Sequence, residues 1–195
     1  NILSPAFVLI TGDLVHEGEL EDFQNRRYYT KAQRVLGELE VPFYLVAGNH
    51  DLGGWDDTPP PQGTARRNWW KFFGWTWLDT PPVSEPQYTQ DFSFDYGPVH
   101  YIGLEAYDNY DGFRWSIYGG ESFTAAQMQW LNQDISTATN SQSKVMFFHY
   151  DFSNQLNLSS LGVDMALWGH THQTSGDIYS HPYNLSTRAT SNGAR

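Results

Sequence analysis

Four short apolar runs punctuate this chain, and each stops at polar side chains. Residues 6–11 end at Gly12 and Asp13, and residues 41–47 end at Gly48, Asn49, His50 and Asp51. Residues 144–148 end at His149, and residues 163–168 end at Gly169, His170, Thr171 and His172. Short runs rich in Val and aromatics read as buried parallel strands, and such strands deliver loops at their C-terminal ends, where α/β sheets keep their chemistry. Between the first two runs, Leu20, Phe23, Val35, Leu36 and Leu39 fall near helical spacing among charged residues. The pattern there predicts an amphipathic helix over 19–40, hence a strand-helix-strand unit whose two loops leave the same edge of the sheet.

The rest of the chain is read in the same way. Residues 90–96 alternate, turn at Gly97 and Pro98, and continue over 99–104, which predicts an antiparallel hairpin. Thr124 with Gln127 three residues on predicts a capping box for a helix through Met128, Trp130, Leu131 and Ile135. Residues 177–188 read as one or two short strands. Two stretches do not fit regular elements. Residues 52–86 carry Gly53, Gly54, Pro59, Pro60, Pro61 and several tryptophans, and 107–120 form a second aromatic loop. The first insertion predicts at most one short helix, around 66–73, and starts directly after the His50 loop as a wall of the pocket.

Composition narrows the function classes. The length of 195 residues suits a single domain over 1–195. A formal net charge of −11 argues against nucleic acid as a partner but allows a small anion held at a metal. Cysteine is absent, so any metal must use His, Asn and carboxylates. No stretch is apolar for long enough to span a bilayer. Aromatics make up 16% of the chain against three lysines, Lys31, Lys71 and Lys144, a balance that points to a secreted or periplasmic protein.

The strand ends hold the candidate chemistry. His16, His100 and His181 read as core or surface histidines. Asp13, Asn49, His149, His170 and His172 each follow an apolar run, on what is predicted to be one rim of one parallel-type sheet, and the first four are expected to converge there. His170 and His172, two apart in an extended segment, point the same way. One carboxylate, one amide oxygen and three imidazoles without a thiolate suit Mn, Fe or Zn better than a calcium cage. His50 offers a nitrogen that carries a proton near neutral pH, and Asp51 a carboxylate able to orient it. The set asks for an Asp bridging two divalent ions, about 3.5–4 Å apart as in two-metal phosphotransfer sites generally.

These blocks, in this order, resemble the calcineurin-like metallophosphoesterases. Gly12-Asp13, residues 48–51, His149 and residues 169–172 match four of that family's five blocks. The resemblance implies an α/β fold, a β-sandwich flanked by helices in an αββα arrangement, here incomplete. It implies a metal-dependent phosphoric ester hydrolase acting on a small phosphodiester or phosphomonoester. By the same resemblance Asp13 bridges two metals, Asn49, His149 and His170 complete the second site, and His172 belongs to the first. His50 is then the acid that serves the leaving group, with Asn49 and His50 also touching substrate. Residues 12–18 lack the Asp-Arg of protein serine/threonine phosphatases, and His16 stands where purple acid phosphatases place a ligand Tyr. The remaining block, an Asp-x-His, is expected on a strand before Ala6, so the chain is expected to be truncated at both ends, to hold its first ion weakly and to be nearly inactive alone. The competing reading is a non-catalytic metal-binding or structural module of a secreted assembly that keeps the same fold.

Overall fold

Two parallel strands carry the first pair of loops. In the computed structural model, which describes residues 4–16, 23–52, 64–74, 91–105, 123, 125–138, 143–153 and 155–188, β1 (Val8–Ile10) pairs with β2 (Phe43–Leu45). Val8 lies opposite Phe43 and Ile10 opposite Leu45. The connection runs through α1 (Phe23–Leu36), so the predicted strand-helix-strand unit is present. α1 buries Tyr29, Ala32 and Leu36, which recur at helical spacing on one face. Val35, expected on that stripe, is 62% exposed because it sits about 100° round the helix from Leu36.

After β2 the chain makes one helical turn, α2 (Asn49–Leu52), where a loop was expected. Then α3 (Thr64–Phe73) follows. This is the described part of the first predicted insertion, and it is core rather than pocket wall at Trp69 and Phe73. Both are fully buried, and both meet Tyr29 of α1 edge-on, at centroid distances of 5.8 and 5.9 Å. Residues 53–63 and 75–86 of the insertion, the whole of 107–120 and the capping residue Thr124 lie outside the described residues.

The second sheet has six strands: β3 (Phe92–Tyr96), β4 (Val99–Gly103), β5 (Ser143–Phe147), β6 (Met165–Trp168), β7 (Ser175–Asp177) and β8 (Tyr183–Ser186). Their spatial order is β3-β4-β5-β6-β8-β7. The hairpin β3-β4 is antiparallel, as its alternation predicts, while β4, β5, β6 and β8 run parallel and β7 returns antiparallel at the far edge. α4 (Ala125–Thr137) crosses between β4 and β5 and buries Leu131 against Ile102, Met146 and Phe148.

The four predicted strands are therefore split between two sheets, which corrects the expectation of one. The sheets face each other through aromatic rings. Tyr44 of β2 stacks on Phe94 of β3 at 3.7 Å, and Phe7 meets Phe94 and Tyr101 edge-on. Because side chains alternate along a strand, Tyr44 facing the second sheet turns Phe43 and Leu45 the other way, and one continuous core runs from Tyr29, Leu36, Trp69 and Phe73 through β2 to Phe92 and Phe147 of the large sheet. The layers are helices, small sheet, large sheet and helix. A run apolar on both faces fits between two helical layers or between a helix and another sheet equally well, so the runs alone did not distinguish these.

Candidate metal centre

Both sheets aim the C-terminal ends of their parallel strands at one place. Asp13 follows β1, Asn49 opens α2 after β2, His149 follows β5, and His170 follows β6. Backbone bonds tie the ends together: Gly169 N–H donates to the His149 carbonyl at 3.0 Å, and Val46 N–H to the Ile10 carbonyl at 3.1 Å. Gly12 lets the loops close, since a Cβ there would stand 2.6 Å from His149 Nδ1 and 2.7 Å from the Gly48 nitrogen. Asp13, His170 and His172 all have φ between 54° and 64°, a left-handed conformation that costs of order 1–3 kcal/mol each outside glycine.

The donor atoms converge. His149 Nε2 stands 3.0 Å from Asn49 Oδ1, 3.2 Å from His170 Nδ1 and 3.2 Å from Asp13 Oδ2. His170 Nδ1 lies 3.0 Å from Asn49 Oδ1. One atom each from Asp13, His149 and His170 fall within 4.8 Å of one another. His149 and Asn49 are buried, whereas Asp13 and His170 are half-buried. The carbonyl of Thr11 accepts the Nδ1–H of His149 at 2.7 Å, which leaves Nε2 of the neutral ring as a lone pair. Asn49 Oδ1 and Asp13 Oδ2 are acceptors as well. Lone pairs crowded at about 3 Å separations repel unless a cation or a shared proton lies among them, so this set fits a divalent ion held by oxygen and nitrogen.

The electrostatics favour a proton shared between His149 and Asp13, the alternative to a cation among these atoms. Burial opposes ionisation of Asp13, but the charge and hydrogen bond of His149 outweigh it and hold the Asp13 carboxyl below its ordinary value. Burial likewise disfavours a charged His149, and Asp13 reverses that and raises it. Burial and the neighbouring His149 push His170 down to about 4, so His170 is neutral and able to offer a lone pair at neutral pH.

The other predicted residues take different places. The backbone N–H of His50 donates to Asp13 Oδ1 at 3.0 Å, and His50 Nδ1–H donates to the carbonyl of His16 at 2.9 Å. That carbonyl, rather than the Asp51 carboxylate, holds the His50 Nδ1. Asp51 is fully buried and accepts from Val15 N–H at 3.0 Å and Gly48 N–H at 2.8 Å, so it clamps the β1 loop to the β2 loop. Burial first, and Asp13 second, push its carboxyl up to about 7. Its own carbonyl accepts the hydroxyl of Tyr29 at 2.5 Å, which links the clamp to α1. His172 is exposed and stands outside the converging group, near enough to His170 to disfavour its charge.

Of the histidines read as bland, His100 sits between Asp95 at 2.7 Å and Asp134 at 2.9 Å in the large sheet, and His181 pairs with Asp164 at 2.8 Å. His16 is different: its ring stacks on His50 at 5.2 Å with 25° between planes. Tyr150, the residue after His149, packs its ring 4.5 Å from that of His170, a contact that no sequence motif marks. Backbone acceptors such as the Thr11 carbonyl carry no sequence signal at all.

The family model described as calcineurin-like phosphoesterase matches residues 1–174. The chain belongs to that family. This calcineurin-like phosphoesterase is 27% identical over 202 residues to the serine/threonine-protein phosphatase CPPED1 of Mus musculus, covering 91% of this chain and 56% of the relative. The human protein of that name is 26% identical over 204 residues, with the same coverage. The chain thus spans little more than half the length of these curated relatives. Among solved structures it is similar to the purple acid phosphatase PPD1 from yellow lupin (Lupinus luteus), with a TM-score of 0.56 and 16% identity over 94% of this chain and 36% of that one. It is also similar to the phosphopantetheinyl hydrolase of Mycobacterium tuberculosis, with a TM-score of 0.53 and 9% identity over 94% and 78% of the two chains. At those identities the two structures bear on the fold alone. The name of the mouse relative speaks of protein substrates, while residues 12–18 here lack the Asp-Arg pair of the protein phosphatase block.

Proposed function

We propose that this chain carries the catalytic core of a metal-dependent phosphoric ester hydrolase working with a two-metal centre. The observation that carries the reading is the convergence of Asp13, Asn49, His149 and His170 from four strand ends in two sheets. These four would hold one divalent ion, with Asp13 also facing a second, toward which His172 would contribute. A bound ion supplies Lewis-acid chemistry, lowering the pKa of water and offsetting charge on phosphoryl oxygens.

The chain's own residues do the rest. With Nδ1–H committed to the His16 carbonyl, the proton that His50 can give up is the one on Nε2. As the bond from phosphorus to the leaving oxygen breaks, that oxygen takes the Nε2 proton and His50 is left neutral, a step a positioned acid accelerates by roughly 10²–10⁴-fold. The backbone N–H of His50 meanwhile holds Asp13 in place, so metal ligand and acid share one anchor. Burial of Asn49 and His149 keeps water from competing for the same lone pairs.

The test is hydrolysis of a nitrophenyl phosphodiester and a nitrophenyl phosphomonoester by the protein at its full natural length, loaded with manganese. Turnover of either that disappears in His149→Ala supports the reading. A protein that binds the metal and cleaves neither ester would favour a metal-binding module on the same fold.

A further inference from the structure

We propose that His16 is a positioning residue for His50, fixing the tautomer through its carbonyl and the ring plane through its imidazole. The inference deepens the general-acid reading of His50 and rests on it. Its basis is the way two loops are joined. Val15 N–H and Gly48 N–H bind the two oxygens of the buried Asp51 carboxylate, at 3.0 and 2.8 Å. The residue after Val15 is His16, and two residues beyond Gly48 is His50. One carboxylate therefore sets the separation of the segments from which both rings project.

On that clamped frame His16 meets His50 twice. Its carbonyl accepts Nδ1–H at 2.9 Å, which directs the exchangeable Nε2 position away from the backbone. Its ring lies over the His50 ring at 5.2 Å and 25°, which restricts rotation about the side-chain bonds. A hydrogen bond at one ring atom leaves the plane free to swing about that atom. The stacked face removes that freedom, and a small misplacement of a catalytic group can cost about 10²-fold in rate. His16 is otherwise exposed and buries little in the core, so stability alone does not account for an imidazole at this place.

The experiment compares His16→Ala, His16→Phe and His50→Ala in the full-length protein. Phenylalanine keeps a flat face but cannot titrate. Nitrogen-15 NMR of the labelled histidine rings reads the tautomer of His50 without any turnover. The expected result is a single Nδ1–H tautomer of the neutral His50 ring in all three of wild type, His16→Phe and His16→Ala, since alanine keeps the backbone carbonyl that accepts the bond, with the His50 ring signals broadened by exchange only in His16→Ala, where the stacked face is gone. On an alkyl phosphoester, His16→Ala should lower kcat about ten- to a hundredfold with KM unchanged, and His16→Phe should restore most of it. A His16→Ala protein whose His50 signals are as sharp as the wild type's and whose kcat is unchanged overturns the inference, as does a wild-type His50 without the Nδ1–H tautomer. So does failure of His16→Phe to restore either readout, since that assigns His16 a proton-carrying role. If His50→Ala itself leaves alkyl ester turnover intact, the general-acid reading fails; if only His16→Ala is silent, that reading stands and the positioning role falls.

Discussion

His149 donates its Nδ1–H to the carbonyl of Thr11 at 2.7 Å, across 138 residues of sequence and from one sheet to the other. That bond does two things at once. It seats the end of β5 on the end of β1, and it turns Nε2, the atom left for a metal or a shared proton, toward Asp13, Asn49 and His170. Because the acceptor is a backbone carbonyl, the orientation of the imidazole is as rigid as the strand that carries Thr11.

Gly48→Ala should therefore weaken metal binding without unfolding the protein. A Cβ at Gly48 would run into the Asp13 carboxylate and would stand 2.8 Å from His149 Cε1. The Asp13 backbone nitrogen would stand 2.5 Å away as well, so the Asp13 loop and the imidazole must both shift. Displacing a group that orients a ligand typically costs 10–100-fold in metal affinity, so a loss of about that size is expected. Calorimetric titration with manganese checks the affinity, and far-UV circular dichroism checks the fold. Unchanged affinity would mean that Asp13 is not a ligand.

His50→Ala should damage substrates unequally. An alkyl or sugar alcohol is a poor leaving group and needs the proton, so its release should slow by roughly 10²–10⁴-fold. A nitrophenolate leaves with little help and should lose much less. Metal content by elemental analysis should stay at the wild-type value. Equal losses on both esters would assign His50 to ligand binding or structure instead.

The pH dependence of stability should carry a signature of His100. Its hydrogen bond to Asp134, against the opposing effect of burial and with help from Asp95, holds it above its ordinary value of 6.5. A raised folded-state pKa means that the folded protein keeps a proton the unfolded chain releases. The stabilisation is thus complete below about 6.5 and fades as pH rises through the higher folded value. The gap in urea midpoint between wild type and His100→Gln should be widest near pH 6 and shrink toward pH 9. A gap that stays constant, or widens, would show that the Asp95–His100–Asp134 group is held by neutral hydrogen bonds.

Much of this arrangement is legible in the sequence. The runs over 6–11, 41–47, 144–148 and 163–168 contain β1, β2, β6 and most of β5, because a short, doubly buried strand has no alternative to apolar residues at nearly every position. The polar residues that end them also stood out, since Gly12, Gly48 and Gly169 mark where one loop backbone passes close to another. What could not be read was which sheet each strand joins. Tyr44, Phe94 and Phe7 decide that by packing across the sandwich, and an aromatic ring looks the same in sequence whether a helix or a second sheet covers it. The role of Asp51 is hidden in the sequence for a similar reason. Adjacent to His50 in sequence, it spends its oxygens on the backbone of Val15 and Gly48, and a backbone N–H leaves no trace in a residue pattern.

The two histidines of the last block should separate functionally, although only Thr171 lies between them. His170 and His172 both adopt left-handed backbone conformations, with φ of 64° and 58°. Only His170 brings a ring nitrogen to Asn49 and His149, at 3.0 and 3.2 Å, while His172 is exposed beyond that group. A loop that turned both residues inward would place two imidazoles on one ion. Here the left-handed turn at each residue splits them. His170→Ala should therefore abolish the tighter of two metal-binding events, because it removes one of four converging donors. His172→Ala should leave that event intact and weaken only the looser one, since the Asp13, Asn49, His149 and His170 set remains whole. Titration with cobalt, followed by its visible absorption, separates the two events by their stoichiometry and spectra. Loss of the tighter event in His172→Ala would place His172 in the converging set, and loss of neither in His170→Ala would remove His170 from it.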